Sequence, residues 1–232
     1  MRDGMCDDLR DGLRDGIQWL IDLHFWDSSI IFARGMGPDE LAARMGGDTP
    51  PAERRLINDL EAWDAVFDGQ YRPGEDGDGL IRVGRNGDWS FALEYGDSTG
   101  RDRLLDVSRD GAEAVRLDPM PEHPPKVFNY ARGGQLICSF GIGEEHWRWG
   151  TEPDLLLTEL IEQSVLLPGG HDRARQNDEH YKDRDRRTFG VIERHFGLSL
   201  PREHLVEGSF LPFFVVRGTP EIDDFEEPTD DA

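Results

Sequence analysis

The residues with the most chemistry to offer fall in one run, Glu144-Glu145-His146-Trp147-Arg148-Trp149-Gly150. Two adjacent carboxylates beside an imidazole are the groups that acid–base chemistry uses. A glutamate pair in a turn after a strand is more commonly just hydrated, so the acids alone predict a solvated turn. The aromatic half is more distinctive. Trp147 and Trp149 alternate about Arg148, so on an extended chain the indoles share one face and the guanidinium takes the other. Tryptophan and arginine dominate binding hot spots, which makes Glu144, Glu145, His146, Trp147, Arg148 and Trp149 candidate partner-binding residues. The competing reading has both indoles capping the sheet where it meets a following helix.

Other constellations carry less. His171-Asp172 with His180, and Glu193 with His195 and His204, supply metal-ligand types. Neither set has a diagnostic spacing such as His-Glu-x-x-His, and no metal or cofactor is expected. His195 ends an amphipathic pattern, where a partial positive charge suits a helix dipole. Asp76 and Asp78 lack the remaining positions of a calcium loop. Cys138 lies in an apolar run, where a thiol behaves as a small hydrophobe rather than a nucleophile. Gly133, Gly134, Gly141 and Gly143 are not followed by the Lys-Ser or Lys-Thr helix start of a phosphate loop. No catalytic residue is assigned.

The chain of 232 residues holds 48 acids against 26 bases, a net charge of −22. That field repels phosphate backbones and anionic lipid and attracts cations, so a basic protein is the favoured partner and nucleic acid or membrane is not. The acidity is uneven. Residues 1–70 carry 15 acids and 7 bases, 71–150 carry 14 and 10, 151–218 carry 12 and 9, and 219–232 carry 7 and none. The last stretch, with Asp223, Asp224, Glu226 and Glu227, reads as a disordered acidic tail and as further candidate partner-binding residues. A cationic partner is expected to engage that tail or the N-terminal third rather than the hairpin region. Two cysteines, Cys6 and Cys138, make no disulfide framework, and the acidic start has no signal-peptide charge pattern. A cytoplasmic protein is expected. Of the bases 24 are arginine, which reads first as GC-rich coding.

The elements that must position these residues follow from periodicity. Leu13, Ile17, Leu20, Ile21 and Phe25 recur at helical spacing within a helix predicted over 9–26, and Leu56, Ile57, Leu60, Trp63 and Phe67 do so within one over 52–67. Ile30 to Arg34 reads as a strand, and Pro38-Asp39-Glu40 as a helix start closed at Gly46-Gly47. Asn86-Gly87 between alternating apolar runs predicts a hairpin, and Gly133-Gly134 predicts a second one. Arg101 to Arg109 reads as a helix and Ala112 to Leu117 as a strand. Pro153 to Leu167 reads as a buried helix, Gly169 to Arg187 as a loop or solvated helix, and Phe189 to Phe196 as a helix closed by Gly197. Pro201 starts a short helical turn, and Phe210 to Val216 is a last apolar strand or docking segment. The fold class is α+β, one antiparallel sheet of about five to seven strands flanked by helices. The domain spans 9–218, with a division near 168 as the alternative, between a frayed 1–8 and the tail 219–232.

Three phrases extend beyond single elements. They are Trp19-Leu20 followed by Ile30 to Leu41, Val83 to Phe91, and Glu145 to Gly150 with Pro153-Asp154. In these the chain resembles a domain family of unknown function found mainly in actinobacteria, over most of residues 17–160. The resemblance implies no catalytic residues. The layout is also similar, at fold level, to bacterial toxin-immunity proteins. The expected function is that of a non-enzymatic acidic cytoplasmic binding protein, most concretely an immunity-type or inhibitory partner of a basic toxin or nucleic-acid-binding factor. The alternatives are a small-ligand sensor or accessory subunit, with the aromatic run lining a pocket between sheet and helices, and an enzyme using the His, Glu and Asp groups of 144–146 or 171–204.

Overall fold

Glycine turns set the register of the sheet. In the computed structural model, which describes residues 16–23, 26, 28–47, 56–57, 79–96, 100–120, 124–173, 181–205 and 211–216, both predicted hairpins form. Gly133 and Gly134 have φ of 61° and 76°, as a type I′ turn requires, and join Val127–Arg132 to Gln135–Gly141. The other hairpin pairs Asn86 with Trp89, so its turn is Gly87-Asp88, with Gly87 at φ 59° in the first position favoured by a type II′ turn.

The strands are β1 (Ile30–Arg34), β2 (Leu56–Ile57), β3 (Gly79–Asn86), β4 (Trp89–Gly96), β5 (Glu113–Asp118), β6 (Val127–Arg132), β7 (Gln135–Gly141), β8 (Arg148–Trp149) and β9 (Leu211–Val216). The helices are α1 (Pro38–Arg44), α2 (Gly100–Val107), α3 (Leu157–Glu162) and α4 (Tyr181–Phe196). All neighbours in the sheet order β2-β9-β3-β4-β1-β5-β6-β7-β8 are antiparallel. Seven of the strands have at least five residues, and the two-residue strands β2 and β8 form the edges. The fold is α+β.

β1 sits at the centre, and Ile30 to Ala33 are all buried because both faces of the sheet are covered. On one face Ile30, Phe32, Phe91, Val115, Phe128 and Phe140 pack against α3, α4 and the turn of 3₁₀ helix at Gln18–Asp22. On the other, Ile31, Ala33, Val83, Ala92 and Ala114 pack against Leu41 of α1, Met45 at its C-terminal cap, and Leu104 and Val107 of α2. No helix among the described residues is long and apolar enough to cross a membrane.

Several expected helices differ. The stripe Ile17, Leu20 and Ile21 does face the core, but Gln18–Asp22 is a 3₁₀ helix and Leu23 is already extended at ψ 133°, short of the predicted end at Trp26. Its first N–H groups are satisfied from α4, since Ile17 N and Gln18 N donate to Glu193 Oε2 at 2.8 and 3.3 Å. Residues 9–15 lie outside the described residues. Of the helix expected over 52–67 only Leu56 and Ile57 are described, and they pair with Pro212 and Leu211 as β2. The helix expected over 153–167 shrinks to α3, ended where Ser164 takes φ 56°. Conversely, Tyr181 to Arg187, expected as loop or solvated helix, is the first half of α4. Residues 1–8, the calcium-like loop and the tail with Asp223, Asp224, Glu226 and Glu227 lie outside the described residues.

Candidate functional site

The aromatic run is the turn between β7 and the edge strand β8. It reverses on Gly143, at φ 93°, with Glu144 N donating to Gly141 O at 2.9 Å and Trp147 N to Glu144 O at 2.9 Å. Arg148 and Trp149 then pair with Phe140 and Ser139, and the ladder continues through Thr151 N to Leu136 O and Glu152 N to Ile137 O. Gly150 is required at this crossing. It holds φ 121°, and a Cβ there would stand 2.3 Å from Ile137 O.

The glutamates part company. Glu144 is exposed, as a solvated turn predicts, whereas Glu145 is wholly buried. Its Oε1 accepts from Gly143 N at 2.8 Å and Thr188 Oγ1 at 2.7 Å, and its Oε2 from Arg184 Nη2 at 2.9 Å. Burying a carboxylate costs several kcal/mol unless it is paired and hydrogen-bonded, and three short charge-assisted bonds meet that condition. Arg184 is itself buried and also donates to Asp172 Oδ1 at 2.8 Å. Burial by itself lowers the guanidinium pKa, but Glu145 and Asp172 outweigh it, and the net shift is upward. The cation is permanent. Beside it, His146 Nδ1 lies 3.9 Å from Asp172 Oδ1.

The next residue locks the turn from the other side. Arg148 Nη1 donates to Glu145 O at 2.7 Å, and Nε and Nη2 reach Asp154 Oδ1 at 3.1 and 2.8 Å, leaving its side chain 11% exposed. The alternation predicted from sequence therefore directs Arg148 inward and leaves the indoles outside. Trp147 is 70% exposed and Trp149 is 47% exposed. The reading in which both indoles cap the sheet does not describe them.

Other indoles behave differently. Trp19 Nε1 donates to Gly16 O and Leu200 O, Trp26 Nε1 to Ser28 O and Trp89 Nε1 to Phe196 O. Buried or half-buried, each satisfies its N–H. The N–H groups of Trp147 and Trp149 have no protein partner among the described residues.

The remaining candidates separate. Glu193 caps the 3₁₀ turn, His195 Nδ1 lies 2.9 Å from Glu159 Oε1, and His171 is exposed. His180 lies outside the described residues. Among the described residues no three His, Cys, Asp or Glu side chains come together as a metal site. Cys138 is buried, and burial pushes its thiol up to about 12. Such a thiol supplies no nucleophile near neutral pH. Reasoning from sequence missed Arg184, Thr188 and Asp154. Only Arg184 and Thr188 had a local signal, two polar residues four apart that extend the apolar stripe of Val191 and Ile192 backward along one helix face.

A family model described as a family of unknown function, DUF6461, matches residues 26–218. The chain belongs to that family. The DUF6461 match covers all nine strands and all four helices described above. No curated protein and no solved structure matches the chain.

Proposed function

We propose that the protein is a non-enzymatic binding protein of the immunity or inhibitor type, which docks a basic protein partner through Trp147 and Trp149. The observation that carries this reading is the pair of exposed indoles, their N–H groups without a protein partner among the described residues, standing on a turn whose Glu145 and Arg148 are locked into the fold. Large rigid side chains on a fixed base lose little conformational entropy when they bind, and tryptophan is the commonest hot-spot residue. Exposed acids nearby, Glu144, Glu152 and Asp154, suit a partner whose apolar pocket is rimmed by cations. The net charge of −22 speeds encounter with such a partner from any direction, while the indoles supply the anchor. The free thiol of Cys138 in the core supports a reducing, cytoplasmic location.

The test is capture from a lysate of the source organism on the immobilised full chain, with elution by stepped salt and identification by mass spectrometry. A basic protein is expected to elute as ionic strength rises, and the double variant Trp147→Ala/Trp149→Ala is expected to lower its capture by about tenfold or more. The reading fails if no basic protein is retained, or if the double variant retains the same protein equally well.

A further inference from the structure

On the second face of the sheet α1 packs on β3 and β4, and α2 on β5 and part of β6. Beside α2, β5 to β8 leave a groove of about 430 Å³ between its flank and Trp149. That volume falls in the range of about 300–1,000 Å³ found for small-molecule sites. Its walls are apolar, with Leu104 and Leu105 on the helix side and Val127, Leu136 and the Trp149 indole on the sheet side. Leu105 is 42% exposed, so two of the four exposed large apolar side chains among the described residues line this one opening.

The floor is charged and built. Arg116, only 2% exposed, is the largest fully buried side chain in the described structure. Its Nη1 donates to Asp118 Oδ2 at 2.8 Å and its Nη2 to Ser29 Oγ at 3.2 Å. Asp118 Oδ1 accepts in turn from Ser29 Oγ and Met120 N, each at 3.1 Å. Arg116 Nε has no hydrogen-bond partner among the described residues and lies 3.9 Å from Glu94 Oε1. Asn129 commits one end of its amide to Ser139 Oγ, at 2.7 Å, and the other end has no protein partner among the described residues. At the mouth, Arg101 in the first turn of α2 has neither an ion pair nor a hydrogen bond among the described residues.

The charge follows. Arg116 and Asp118 neutralise each other, which leaves Arg101 to make the lining net positive in a chain of net charge −22. A groove with flat apolar walls, a free guanidinium at the mouth and a spare amide end on the floor fits one ligand chemistry. We propose that it binds a small organic carboxylate with a flat apolar body, the carboxylate on Arg101 and the body between Leu105, Leu136 and Trp149. The guanidinium fork matches a carboxylate bidentately, and the indole face matches a flat ring. This inference does not rest on the docking of a protein partner, because it concerns the isolated chain.

Calorimetric titration of the purified full chain with 1-naphthoate, and in parallel with the neutral 1-naphthalenemethanol, tests it. The acid is expected to bind at one saturable site with a Kd below about 1 mM, more tightly than the alcohol. Arg101→Gln is expected to weaken the acid by about tenfold while leaving the alcohol nearly unchanged, and Leu105→Ser to weaken both. Arg101 and Leu105 are exposed, so both variants keep the fold, which circular dichroism verifies. The proposal is overturned if neither compound saturates, or if acid and alcohol bind alike and Arg101→Gln changes neither. The second outcome would leave only a greasy surface.

Discussion

Replacing Arg184 by alanine leaves the Glu145 carboxylate wholly buried with no cation beside it. Two of its three hydrogen bonds survive, from Gly143 N and Thr188 Oγ1, so the turn keeps its shape and the loss is chiefly electrostatic. Breaking a buried pair by removing one partner costs about 3–5 kcal/mol. Asp172, the other carboxylate on Arg184, is 46% exposed and is rehydrated at little cost. For a domain of this size each kcal/mol moves Tm by about 2–4 °C, so Arg184→Ala is expected to lower Tm by roughly 6–20 °C. The double variant Glu145→Gln/Arg184→Met removes both charges and is expected to recover at least about half of that loss, since a buried ion pair replaced by matched neutral groups is often close to neutral. Thermal melts followed by circular dichroism, closed into a double-mutant cycle, measure both quantities. Arg184→Ala within about 1 kcal/mol of the parent would refute the argument, because the carboxylate would then be hydrated rather than enclosed.

Three other predictions concern single residues. In a Cys6→Ser background, Cys138 is expected to resist iodoacetamide at about pH 8 until the chain is unfolded, since burial holds its thiol near 12; rapid native labelling would show the strand to be open. Burial lowers the His204 pKa, so between the folded and the ordinary value the unfolded chain binds more protons, and this contribution to stability is lost as pH falls through the ordinary histidine range. Urea melts at about pH 7.5 and 5.5 should accordingly show a smaller acid loss for His204→Gln than for the parent, and an equal or larger loss would reverse the sign. Gly150→Ala should cost about 3 kcal/mol or more, because φ 121° and a 2.3 Å approach to Ile137 O act together, whereas Gly143→Ala, at φ 93° with open space around it, should cost only about 1–2 kcal/mol; equal losses would contradict this account.

What could be read from the sequence was whatever is decided within a few residues. Gly133-Gly134 determines a hairpin because both residues hold positive φ, and Pro38 with Asp39 and Glu40 determines a helix start for reasons confined to one turn. The errors have a common cause in distant partners. Ile17 and Leu20 carry helical spacing, yet a carboxylate 176 residues away caps the backbone and the helix stays a short 3₁₀ turn. Leu56 and Ile57 also carry it, yet β9 offers them an edge. Glu145 is read as hydrated because nothing near it in sequence announces Arg184, 39 residues later. Arg116 in β5 shows the same limit, since a charge in mid-strand signals burial only once Asp118 and Ser29 are known to meet it.

The lock beneath the aromatic turn separates two kinds of selection. Glu145, Arg184 and Arg148 hold the turn, and changing them disturbs folding, whereas Trp147 touches little of the protein it belongs to. Substitution of Trp147 therefore carries little stability penalty and alters only what the turn meets. If the turn docks a partner as proposed, exchanging Trp147 changes recognition on a constant support, and drift in that partner can be followed without passing through an unfolded intermediate.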